Sequence, residues 1–182
     1  MSSDYINALM NHLWRSADES TSYQVYALLD AARSDFIYPK VFQSELESAC
    51  LFRGEKAQEL AWVAPYLVEL KREDPFVRWL LENGWGKSWG IFIVSSADFG
   101  DLKRHLQSFL TVYDEEGKSL LFRYYDPRVF RIYLPTCNAD ELKTVFGPVY
   151  SYVFEDEDIS VLLQFSGAEG KLEIQQHQLE QS

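Results

Sequence analysis

The sequence holds only two cysteines, Cys50 and Cys137, far apart and outside any CxxC spacing. That excludes a disulfide framework and a cysteine zinc site, and two buried thiols in a reducing compartment are expected. Histidine is equally scarce: His12, His105 and His177 form no H-x-x-x-H or H-E-x-x-H pattern, so no metal site is expected. Cations are outnumbered, 17 Lys and Arg against 28 Asp and Glu for a net charge of -11. This argues against nucleic acid as the main partner, because such binding rests on neutralising phosphates. No apolar run reaches membrane-spanning length, and the start MSSDYINALMNHLWR lacks a basic segment followed by an apolar secretion core. No membrane insertion and cytoplasmic residence are the expectations. The glycines near Trp85 and Trp89 have neither a phosphate-loop ending nor a dinucleotide-loop spacing, and no cofactor is expected.

Aromatic residues, by contrast, are plentiful: 12 Phe, 11 Tyr and 5 Trp. Such side chains fill cores and also anchor protein interfaces, and composition does not separate the two uses. With 182 residues, 47% of them hydrophobic, there is material for one domain with a sizeable core. The expected division is an N-terminal helical segment at 1–20, a main domain at 21–154, and a C-terminal strand and flexible tail at 155–182.

Local patterns supply the elements. Ile6, Leu9, Met10, Leu13 and Trp14 share one face of an N-terminal helix, broken by the polar residues 16–21. YQVYALLDAA reads as a first strand ending at Asp30, where a cap or turn is the simpler role and catalysis the sharper one. VFQSELESA predicts a short helix, another starts from Ala57, and residues 66–70 predict a strand. Asp74 and Pro75 open the clearest helix, PFVRWLLENGWG, and KSWGIFIVSS follows as a central strand. Ser95, Ser96 and Asp98 are candidate caps for DFGDLKRHLQSFL. Residues 111–113 and 119–125 predict a hairpin whose second strand is buried or half-buried, and Asp126 with Pro127 starts a short helix. A helix at 140–146, strands at 150–154 and 159–165 around the acidic turn 155–158, and a glutamine-rich tail, disordered or helical, complete the chain. The expected fold class is mixed α/β, or α+β: a mixed sheet with flanking helices and a compact C-terminal extension.

Arg123, Asp126, Arg128 and Arg131 gather in one stretch, LLFRYYDPRVFRIYLPT. Three readings stand: an ion-pair network holding a strand-to-helix junction, a recognition site for an acidic or backbone-rich protein surface, or an active site. The last would use Asp126 or His105 as acid or base with the arginines on an anionic substrate. It lacks a nucleophile with a paired base. Arg104 and His105, being adjacent, point to different helix faces.

The segments CLFRG, APYLVEL, WLLENGWGKSWGIFI, LKRHLQSFL and LLFRYYDPRVFRIYLPT, in this order, resemble the DUF4123 family of type VI secretion adaptors, from about Tyr23 to Tyr152. The resemblance implies a non-enzymatic adaptor or chaperone without cofactor. It would bind a cognate secreted effector in the cytoplasm and assist its loading onto a VgrG or PAAR spike protein. It also implies that the main domain at 21–154 is the adaptor domain. Trp85, Gly86, Trp89, Gly90, Phe122, Tyr125 and Pro127 match the family pattern as structural positions. Arg104, His105, Arg123, Asp126, Arg128 and Arg131 are the candidate partner-binding residues. A small enzyme using an Arg/His/Asp cleft on an anionic substrate, and a toxin immunity protein, are the alternatives.

Overall fold

The computed structural model describes residues 2–15 and 22–179, so the predicted polar break at 16–21 and the last residues of the tail lie outside the described residues. The chain runs α1 (Ser3–Arg15), β1 (Gln24–Asp30), α2 (Ile37–Gln43), β2 (Ser48–Cys50), α3 (Gly54–Glu59), β3 (Pro65–Leu70), α4 (Pro75–Gly84), β4 (Gly90–Ser95) and α5 (Phe99–Ser108). It continues through β5 (Thr111–Tyr113), β6 (Ser119–Leu121), α6 (Pro127–Tyr133), α7 (Ala139–Phe146), β7 (Val149–Glu155), β8 (Val161–Ala168) and β9 (Lys171–Gln178). The class is mixed α/β, a multi-stranded sheet flanked by helices that takes in the C-terminal elements.

Seven strands form one sheet in the order β2-β3-β1-β4-β7-β8-β9, every pairing antiparallel. β1 lies inside, with Leu28 opposite both Leu67 of β3 and Ile91 of β4. Its residues from Val25 to Asp30 are all buried, which is why it reads as a continuous apolar run rather than an alternating one. β5 and β6 form a separate two-stranded ribbon.

The helices begin where short polar side chains satisfy free amides. Asp74 accepts from Phe76 N at 2.8 Å ahead of Pro75, Asp98 from Asp101 N at 2.8 Å, and Asn138 makes a capping box with Glu141. α1 buries Tyr5, Ile6, Leu9 and Leu13, an i, i+3/i+4 face. Its exposed side reaches α4, with Arg78 donating to Asn7 at 2.8 Å. The Tyr5 hydroxyl donates to the Ile159 carbonyl, which also accepts from Trp85 Nε1 at 2.8 Å.

Three expectations change. The helix read from VFQSELESA lies earlier, at Ile37–Gln43, and Ser48–Cys50 is instead an edge strand, because β3 offers a free edge that Ser48, Ala49 and Cys50 pair. The stretch 119–125 is not one buried strand: only Ser119–Leu121 is extended, and it is exposed. Residues 122–126 turn inward so that Tyr124 and Tyr125 are buried. The tail is neither disordered nor helical up to Gln178, since β9 pairs with β8 from Ala168↔Lys171 to Val161↔Gln178. Glu169 and Gly170, at φ 50° and 76°, form the two-residue turn that returns the chain.

Candidate functional site

Asp30 ends β1 and Asp126 precedes α6, and the fold buries both at one end of the sheet. Asp30 Oδ1 accepts from Ala32 N at 3.1 Å while Oδ2 accepts from Arg123 Nη2 at 2.7 Å. Asp126 Oδ1 accepts from the backbone N and the Nε of Arg128, both at 3.0 Å, and Oδ2 accepts from Arg128 Nη2 at 2.7 Å. Arg123 Nη2 lies 3.6 Å from Asp126 Oδ2, which joins the two pairs. Two guanidinium groups thus close on two buried carboxylates. The charges balance, and the inner faces of both arginines are already occupied.

Burial alone would raise the pKa of Asp126, but the Arg128 hydrogen bonds and then the charge of Arg123 hold it below the usual carboxylate range. Burial and the neighbouring Asp30 push the Tyr125 hydroxyl up to about 12.

Arg131, one turn further along α6, faces the acidic turn after β7. It donates to the Glu155 carbonyl at 3.2 Å and to Glu157 Oε1 at 3.3 Å, with Asp156 Oδ1 3.7 Å from its Nε. Only 17% of the side chain is exposed, so this arginine fastens α6 to the β7–β8 connection. Arg131→Ala is expected to lower unfolding stability by about 1–2 kcal/mol, one charged hydrogen bond to a carbonyl plus a weak surface pair, read as a shift in urea midpoint at unchanged slope.

Sequence reasoning treated 155–158 as a solvated acidic turn and missed Glu155. This carboxylate is buried and accepts from Gly86 N at 2.5 Å and Ser88 N at 2.7 Å, so it holds the GWGKSW loop against the end of β7. Burial raises its pKa against the opposing pull of those amides and Arg131. The signal in the sequence is that Glu155 directly follows the apolar run Tyr152-Val153-Phe154, and the structure continues the burial of that run through Glu155.

The remaining predicted positions fall apart from one another. Arg104 is exposed and pairs with Asp101 on its own helix, and His105 turns inward, its Nε2 2.9 Å from the Val145 carbonyl and its ring on Phe109. Burial lowers the His105 pKa. Among the described residues no hydrogen bond, ion pair or ring contact joins His105 to Asp126, so the geometry assembles no acid–base pair. Trp85, Trp89, Tyr125 and Pro127 are buried, and Phe122 is half-buried against Tyr124 and Tyr133. Gly86 takes φ 79°, and Gly90 lies against the backbone of β1.

Cys50 and Cys137 are unbonded and half-buried, and burial raises the pKa of each thiol. Among the described residues no three His, Cys, Asp or Glu groups come together as a metal site would require, and no helix is long and apolar enough to cross a membrane.

Sequence reasoning also passed over outward-facing aromatics. Phe36 and Phe42, beside and on α2, are 69% and 57% exposed, and Trp62, in the 3-10 turn that packs near α2, is 64% exposed. The Phe42 ring leans on Tyr66, whose register partner Cys50 belongs to edge strand β2.

The architecture is that of a mixed α/β protein with an antiparallel sheet and an ion-paired helix junction. Residues 25–144 match the family described as a domain of unknown function, DUF4123. That is more than half of the chain, and the protein belongs to this family. No curated protein and no solved structure matches the chain.

Proposed function

We propose that this protein is a non-enzymatic adaptor or chaperone of type VI secretion that binds a cognate effector in the cytoplasm and promotes its loading onto a VgrG or PAAR spike protein. Membership of DUF4123 supports a general adaptor or chaperone role. The observation that carries the reading is the exposed aromatic surface of Phe36, Phe42 and Trp62 beside the edge of the sheet. Large rings held in water are uncommon without a partner, and they are the side chains from which binding hot spots are built. An edge strand next to them also offers free backbone groups for strand addition.

The enzyme alternative is weaker because its arginines are neutralised by Asp30 and Asp126, which leaves no open guanidinium pair for an anionic substrate. Within the adaptor reading, Arg104, Arg123 and Arg128, 70%, 43% and 51% exposed, are the predicted positions still open to a partner, while His105, Asp126 and Arg131 hold elements of the fold in place.

Trp62→Asp and Phe42→Asp are expected to reduce effector co-purification by about tenfold or more, the scale of a lost hot spot, with little change in unfolding midpoint because both rings are exposed. Quantitative mass spectrometry of the co-purified material checks this. Recovery of neither a secreted effector nor a spike protein with the unaltered chain would overturn the proposal. Deleting the gene separates the immunity alternative: an adaptor loses effector delivery, an immunity protein loses protection.

A further inference from the structure

A second surface shares no residue with those aromatics. Phe109, Val112, Phe122 and Tyr133 wall a groove of about 260 Å³ between the β5–β6 ribbon and α7, and Asp140 and Glu141 of α7 stand along its side. That is many times the roughly 10–15 Å³ that one water needs, so the space suits a bulky side chain. The ribbon above it is not part of the main sheet and exposes Val112, Tyr113, Leu120 and Leu121. Two three-residue strands are marginal by themselves, and apolar side chains exposed along both make a surface that a partner can order.

The charge around the groove selects among partners. Asp140 makes no side-chain hydrogen bond or ion pair among the described residues, whereas Glu141 accepts from Asn138 N at 2.8 Å in the capping box. Lys143, the cation of α7, is not in the lining. The ribbon turn carries Asp114, Glu115 and Glu116 against Lys118. Acidic residues in a first helical turn complement the helix dipole with or without a partner. It is their position along an apolar groove that matters.

We infer that this groove receives a bulky apolar side chain from a partner segment flanked by lysine or arginine. The inference rests on the adaptor reading and names the chemistry of the segment bound. Opposite charge on the flanks steers the approach, and burial of the anchor supplies the affinity.

The test uses the full chain and three labelled synthetic peptides: a Phe-Leu core flanked by lysines, the same core flanked by glutamates, and a serine core flanked by lysines. Fluorescence anisotropy should show the first binding at least tenfold more tightly than either other, and weakening as salt rises. Hydrogen exchange should slow at residues 111–121 when it binds. Val112→Asp and Asp140→Lys should each reduce binding, the first by tenfold or more, and Trp62→Asp should not. Equal binding of all three peptides, no binding, protection confined to another surface, or indifference to both groove variants would overturn the inference. So would a concentration-dependent dimer that protects 111–121 without peptide, since a second copy would then be the occupant. If Val112→Asp still captures the effector at the wild-type level, the inference fails and the adaptor reading stands. If the unaltered chain captures no effector, the adaptor reading fails, whatever the peptides do.

Discussion

Gly90→Ala is expected to cost about 3 kcal/mol or more and to leave little soluble folded protein. An added Cβ would stand 2.1 Å from the Leu28 carbonyl oxygen, 2.9 Å from Leu29 Cα and 3.0 Å from Leu28 C. These are backbone atoms of an interior strand, so no rotamer change relieves the contact. β1 and β4 would have to separate where Leu29 faces Gly90, and where Asp30 N donates to the Trp89 carbonyl at 2.8 Å. Overpacking a core commonly costs about 1–3 kcal/mol, and a clash that only strand separation relieves belongs at or beyond the upper end. That is a large share of the roughly 5–15 kcal/mol available to a typical domain. Urea unfolding reads the effect, with Gly117→Ala as a comparison: its Cβ would meet nothing within 4 Å, leaving only the strain of φ 79°, about 1 kcal/mol. Equal midpoints for Gly90→Ala and the unaltered protein would show that the two strands do not approach this closely.

Asp126→Ala is expected to cost about 2–4 kcal/mol. It removes the side-chain acceptor at the start of α6, about 1 kcal/mol, the charged hydrogen bonds from Arg128, and the longer ion pair with Arg123. Because the arginines are about half exposed, water recovers part of their interaction, which keeps the figure below that of a fully buried pair. Asp126→Asn keeps the capping oxygen and should lose about half as much.

The pH dependence follows from the sign of each shift. The folded pKa of Asp126 is depressed, so its contribution is present above the unfolded value near about 3.9 and is lost as pH falls through the folded one. Glu155 runs the other way. Its folded pKa is raised, so the associated stability is present below the unfolded value near about 4.3 and is lost as pH rises through the folded one. Urea midpoints measured between about pH 3 and about pH 7 should therefore show the gap between the unaltered protein and Asp126→Asn closing toward acid. Over the same range the unaltered protein should lose ground to Glu155→Gln as pH rises. A gap for Asp126→Asn that is constant across the range would mean that the carboxylate is not ion-paired as described.

The elements legible from sequence were those whose signals are local. Asp74 with Pro75, Asp98, and Asp126 with Pro127 each combine a short polar acceptor with a suitable next turn, and all three start helices as read. The run from Gln24 to Asp30 and the run from Gly90 to Ser95 are apolar at nearly every position, which only burial on both faces requires. Where a segment depended on an open edge offered by another strand, the reading failed. Ser48–Cys50 is extended because β3 presents an open edge, and Lys171–Gln178 because β8 does. Ser48–Cys50 has no β-branched residue, and in Lys171–Gln178 the alternation of Leu172 and Ile174 stops at the polar run that follows.

The same division runs through the candidate site. That Arg123, Asp126, Arg128 and Arg131 would congregate was visible from their spacing along one stretch. Which acceptors Arg123 and Arg131 meet was not, because Asp30 and the turn at 155–157 are remote in sequence and approach only when the sheet forms. By itself the sequence determined the helix starts, the apolar central strands and the acidic balance, all of which arise from neighbouring residues or simple composition. Tertiary structure alone decided that the arginines are neutralised rather than open, that Glu155 grips the glycine loop, and that aromatic rings at Phe36, Phe42 and Trp62 face water, since exposure and pairing belong to the packed chain.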